Sequence, residues 1–153
     1  MKRCLLCLSL LLAVVCASAA GYLLPLDGHR QYSVAMTIRG TQLSGLCLVR
    51  VSDEGYRGSI VNEFGIHALD FTLSPDRQRV RLYNLLPAMN RWYIKRVVRG
   101  DLKFLFNATQ NPQRKGKRTV TVDSDQTVTL VNSKYRLKYS FLEINENDDE
   151  ATE

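Results

Sequence analysis

Apolar and polar positions alternate over residues 31–39, with Tyr32, Val34, Met36 and Ile38 on one parity and Ser33, Ala35, Thr37 and Arg39 on the other. A strand sends successive side chains to opposite faces, so this pattern predicts a strand buried on one side. Gly40-Thr41 turns the chain, and residues 43–51 are then apolar on both parities, which predicts a strand covered on both faces. Asp53-Glu54-Gly55 reads as a hairpin turn, residues 56–62 as a third strand and Glu63-Phe64-Gly65 as the next turn. Residues 66–73 carry Leu69, Phe71 and Leu73 on one face. Ser74-Pro75-Asp76-Arg77 places proline where a turn needs its fixed φ, and residues 80–85 complete five strands. Strands joined by such short turns predict an antiparallel meander.

The period then changes. Pro87 suits a first helical position, and Ile94, Val97, Val98, Leu102 and Leu105 recur at helical spacing. Arg91, Lys95, Arg96, Arg99 and Lys103 take most of the other positions. A basic amphipathic helix is expected over 89–106, divided at Gly100, with Asp101 capping its second half. Beyond a loop at 110–118, residues 119–122, 127–131 and 135–144 return to strand patterning, the last alternating through Tyr135, Leu137, Tyr139 and Phe141. The fold class that results is mainly β with a helical component (α+β). It is a curved antiparallel sheet, or incomplete β-barrel, of about eight strands with one inserted helical segment. An amphipathic helix buries its stripe on the nearest apolar surface, here the concave face of the sheet. The space beneath is either a filled core or an apolar cavity, and pattern does not separate the two. Candidate cavity or lid residues are Met36, Phe64, Phe71, Met89, Trp92, Tyr93 and Val97.

The N-terminus carries a different message. Lys2 and Arg3 precede an apolar run over 5–15, and Ala17-Ser18-Ala19 follows as a small-residue cleavage pattern. The run is shorter than the ~20 residues that span a bilayer, so residues 1–19 are expected to be a cleaved secretory signal. Cys16, after Ala13-Val14-Val15, loosely matches a lipoprotein cut site, but Ala13 and Val15 depart from that pattern and cleavage after Ala19 is favoured. Residues 20–145 form one expected domain, and 146–153 an acidic tail too polar to fold alone. Cys4, Cys7 and Cys16 fall in the signal, leaving Cys47, in an apolar run, as an expected core residue with no disulfide to make.

Residues 58–71, reading from Gly58 through Asn62-Glu63-Phe64-Gly65 to Asp70-Phe71, resemble a motif of small envelope proteins from the Bacteroidetes. So does the helical segment 90–106 with Gly100-Asp101-Leu102. These proteins are similar to the lipoprotein-localisation factors LolA and LolB. The resemblance covers roughly residues 30–106 and implies an incomplete barrel with a helical lid over an apolar cavity that receives acyl chains. It also implies an envelope location and apolar-ligand handling. It carries over no functional residue.

Charge sharpens the expected partners. Six of the 15 acidic side chains lie in the last eleven residues, and two of the 21 basic ones in the signal, so the body between is strongly basic. Such a body favours anionic surfaces, and for an exported monomer these are membrane lipid or acidic partners, not nucleic acid. Arg91, Lys95 and Arg96 beside Trp92 and Tyr93 suit a lipid-headgroup boundary, and Arg114, Lys115, Lys117 and Arg118 concentrate charge in a turn. Glu63 is a candidate to orient a ligand or to pair with Arg91 or Arg96, against the alternative of a solvated residue in a tight turn made by Gly65. Asn107-Ala108-Thr109 matches a glycosylation acceptor, relevant only to a eukaryotic secretory route. His29 and His67 have no metal-spaced partner, and phosphate-loop and nucleophile-elbow motifs are absent. No catalytic residue, metal or cofactor is expected. The leading expectation is a non-enzymatic carrier of lipid or lipoprotein acyl chains. Its rival is an envelope interaction module with a filled core and a basic docking surface.

Overall fold

A computed structural model describes residues 21–38 and 40–144. Nine strands follow in chain order: β1 (His29–Ile38), β2 (Thr41–Ser52), β3 (Gly55–Asn62), β4 (His67–Leu73), β5 (Val80–Tyr83), β6 (Gln113–Lys115), β7 (Arg118–Val122), β8 (Val128–Asn132) and β9 (Leu137–Glu143). They form one curved, unclosed antiparallel sheet in the order β5-β4-β3-β2-β1-β9-β8-β7-β6. The two edges, β5 and β6, are consecutive in the chain. The connection between them runs through a 3-10 turn (Pro87–Met89) and the helix α1 (Trp92–Phe106), which spans the opening of the half-barrel.

One parity of each strand faces the helix. Tyr32 and Val34 of β1, Cys47 and Val49 of β2, Leu69, Phe71 and Leu73 of β4, Leu130 of β8, and Tyr139 and Phe141 of β9 are buried there. From above, α1 adds Val98, Leu102, Leu105 and Phe106. Phe106 stacks on Phe71 with ring centroids 5.2 Å apart. Burial pushes the Cys47 thiol up to about 12, so it behaves as a small apolar core group.

Three local expectations are corrected. The helix runs unbroken through Gly100, and Asp101 caps nothing; it is buried and bonded to the sheet. The expected loop at 110–118 contains strand β6, which pairs with β7 around Gly116 and brings the sheet to nine strands. Strand β2 is covered on one face only: Leu46 and Leu48 are 39% and 43% exposed, because their parity points to the convex side, where no described element packs.

The segment before β1, which carries no strand or helix pattern, is part of the core. Leu24 and Leu26 are fully buried at the end of the sheet where α1 finishes, and the Leu23 amide donates to the Ala108 carbonyl at 2.8 Å. Arg77, buried and held at φ 57°, fastens this segment. Its Nη1 donates to the carbonyls of Leu24 (3.1 Å) and Phe106 (3.0 Å), while its guanidinium lies 3.6 Å over the Tyr22 ring. A cation at the last carbonyls of a helix also meets the negative end of its dipole. Residues 1–19, with Cys16, and the acidic tail 146–153 lie outside the described residues.

Candidate functional site

The C-terminal half of α1 is wedged into the core, whereas its first turns are only partly covered, with Ile94 and Val97 half-buried and Trp92 and Tyr93 exposed. Between them and the β1–β2 and β8–β9 ends lies an open groove of about 1270 Å3. That exceeds the roughly 300–1,000 Å3 of ordinary small-molecule sites. One wall is apolar: Met36 of β1, Leu43 of β2, Leu86 and Met89 before the helix, and Ile94 and Val97 of α1. Exposed aromatics mark the mouth, with Trp92 at 75%, Tyr93 at 48% and Tyr135 at 42%. Trp92 and Tyr93 meet edge to face at 6.0 Å.

The other wall is cationic. Arg96 and Arg118 line it together with Lys134 and Arg136 of the β8–β9 turn, and among the described residues no acidic side chain lines the groove. Arg118 is held from behind by a buried cluster. Asp101 Oδ1 accepts from Arg118 Nε (2.6 Å) and Asn132 Nδ2 (2.8 Å), and Oδ2 accepts from the Tyr139 hydroxyl (3.1 Å). Burial, and then the Asp101 charge, push the Tyr139 phenol well above its ordinary range, so it stays a donor. Gly100 lies beneath the same guanidinium: a Cβ there would sit 2.9 Å from Arg118 Nη2 and displace the end of that side chain. The sequence Gly100-Asp101 thus marks where a guanidinium crosses the helix backbone.

The predicted residues divide accordingly. Met36, Met89, Trp92, Tyr93, Val97, Arg96 and Arg118 converge on the groove. Phe71 does not, because its parity carries it into the packed core against Phe106. Phe64 does not either; it is 85% exposed at the tip of the β3–β4 turn. Glu63 in that turn accepts a hydrogen bond from Ser44 and does not reach Arg91 or Arg96. The turn is built by Asn62, whose Oδ1 accepts from the amides of Phe64 (3.0 Å) and Ile66 (2.8 Å), with Gly65 at φ 74°. Arg91 is the residue preceding α1, and Lys95 lies off the groove. Arg114, Lys115 and Lys117 are exposed on the β6–β7 hairpin and do not line the groove; Lys115 stands directly opposite Arg118, but it is Arg118 that turns to Asp101. Asn107 spends its Nδ2 on the carbonyls of Arg77 (2.7 Å) and Lys103 (2.8 Å), so the acceptor pattern there is engaged in holding the chain.

Two clusters lie on the convex face. Ser59 Oγ donates to Asp70 Oδ1 at 2.6 Å and sits 3.0 Å from His67 Nδ1, which is itself 3.3 Å from the same carboxylate oxygen. A nucleophile–base–orienter chain uses the two imidazole nitrogens separately. Here one nitrogen faces both neighbours and the hydroxyl proton is already given to the carboxylate. Asp123 lies in the β7–β8 turn, away from this group. The second cluster is a row of cross-strand partners, His29–Arg50–Arg57–Thr72–Arg81, running over five strands. Arg50 and Arg57 are directly opposed. Arg57 and Arg81 of the row, with Arg79 and Glu54, border a hollow of about 240 Å3. Single-strand patterning does not reveal this row; it needs the register.

Compared with known proteins, the chain matches no family model, and no curated protein matches it in sequence.

Proposed function

We propose that this chain is an exported, non-enzymatic binding protein of the bacterial envelope that holds the acyl chain of a lipid or lipoprotein in the groove beside α1. The observation that carries the reading is the open groove lined by Met36, Leu43, Leu86, Met89 and Val97, where Leu43 is exposed, Leu86 and Val97 are half-buried, and Met36 and Met89 continue into the core. Each methylene buried there contributes about 0.8 kcal/mol, so a chain of ordinary length is held reversibly. An unclosed sheet spanned by one helix agrees with kinship to the lipoprotein-localisation factors. Access runs through the aromatic mouth and not by lifting the helix. Leu102, Leu105 and Phe106 belong to the core, and Asp101 ties the helix to β7, β8 and β9.

The test is native mass spectrometry of protein purified without detergent, together with binding of a fluorescent fatty acid. Lipid-mass adducts and saturable binding are expected. Val97→Trp, which fills the groove at its lip, is expected to remove both while leaving thermal unfolding unchanged. A clean unliganded mass with no fatty-acid binding overturns the reading.

The convex arginine row favours a second reading, an interaction module that docks an acidic partner. Like charges placed directly opposite one another on a sheet repel, and an anionic partner relieves them. Under that reading, charge reversal at Arg50 and Arg57 abolishes partner capture while the groove variant leaves it intact.

A further inference from the structure

We infer that the groove selects amphiphiles with an acidic head group, which Arg118 receives, and so prefers an anionic lipid or free fatty acid over a neutral acyl chain. This rests on the groove being an acyl-chain site, and it adds polarity and direction to it. Strand order separates the two walls: Leu43 and Met36 stand on the adjacent β2 and β1, whereas Arg118 stands on β7, beyond β9 and β8. A ligand lying across the groove therefore meets hydrocarbon at one end and cations at the other.

Arg118 is built to receive an anion. Its side chain is 30% exposed, and its Nε is committed to Asp101. Among the described residues its Nη groups have no hydrogen-bond partner, and Nη2 lies over Gly100, a groove residue that leaves room for it. Asn132 and Tyr139 satisfy the rest of the Asp101 carboxylate, so the guanidinium is oriented from behind and its fork is free in front. A guanidinium fork matches a carboxylate or a phosphate through two parallel bonds. Arg96 sits one helical turn before Gly100 on the same face, and Lys134 and Arg136 add charge from the β8–β9 turn. A groove lined by four cationic side chains, with Asp101 paired behind Arg118 and, among the described residues, no acid on its surface, favours an acidic head group over a neutral one.

The experiment compares palmitate with methyl palmitate and hexadecanol, which share its sixteen-carbon chain, and with inorganic phosphate, which lacks a chain. Binding is read by displacement of a fluorescent probe that the wild type holds. Palmitate is expected to bind about tenfold or more tightly than its ester, the scale of a charge-assisted hydrogen bond, with phosphate binding far more weakly than either. Arg118→Gln is expected to erase the preference while keeping ester affinity, and Arg114→Gln, outside the groove, to leave it unchanged. Should Arg118→Gln fail to fold, the exposed pair Lys134→Gln and Arg136→Gln is expected to lower the preference by several-fold. Equal binding of palmitate and its ester by the wild type overturns this inference and leaves the groove reading standing. Binding of neither overturns the groove reading itself. Phosphate binding as tightly as palmitate shows an anion site without a lipid site and also overturns the inference.

Discussion

Asp101 is the side chain on which most long-range order converges. It is fully buried, and its two oxygens take donors from β7, β8 and β9 while it stands on α1. Removing one member of a buried charge network leaves the others desolvated and unpaired. Asp101→Ala is therefore expected to cost about 3–5 kcal/mol in urea-induced unfolding, with Asp101→Asn also destabilising because an amide cannot accept from all three donors. Asp70 illustrates the opposite environment. Burial works against its ionisation, but hydrogen bonds from Ser59, Asn84 and His67 prevail and hold its carboxyl below the usual carboxylate range. A depressed acid adds stability that is fully present above the unfolded value near 3.9 and is lost as pH falls through the folded one. Between pH 5 and pH 2, Asp70→Asn is expected to flatten the decline of thermal stability, with little change in the slope above pH 5.

At the scale of elements, the strands owe their faces to parity and their neighbours to register. The row His29–Arg50–Arg57–Thr72–Arg81 follows from register alone. Its only ion-pair relief among the described residues is Glu54, 3.9 Å from Arg57 and itself largely solvated. Replacing Arg57 by Thr, a good strand former, is expected to raise the melting temperature at low ionic strength. The gain should shrink as salt approaches 1 M, where the Debye length is ~3 Å; a salt-independent effect would show that repulsion is not its source. Helix α1 divides into two parts of different duty. Its second half completes the core through Leu102, Leu105 and Phe106, and its first half, exposed at Trp92 and Tyr93, overhangs the groove. The sequence pattern displayed the amphipathic stripe. It concealed the division, because Val97 and Leu102 look alike in a hydropathy profile.

In the whole molecule the core is continuous under one half of the helix and open under the other. The sealed end is made by Leu24, Leu26 and Arg77. Cys47, at the middle of the sheet with no exposed surface, reports on that core. Peptide-level alkylation is expected to leave Cys47 unmodified in native protein and to label it only with global unfolding, whether or not the groove is occupied. Labelling in the native state would mean that the sheet opens locally. Alternation, turn chemistry and helical spacing were enough to announce an antiparallel meander, one late amphipathic helix and a buried Cys47, since each depends on neighbours close in sequence. Met36, Met89, Trp92, Tyr93 and Val97 were also legible as candidates for one apolar site. Other features waited on the tertiary structure: the burial of Phe71, the exposure of Phe64, the seating of Arg118 on Asp101 and the ordering of the arginine row. Periodicity says which side chains share a face, but only strand order and the path of the crossover decide what that face meets, and whether the space between is filled.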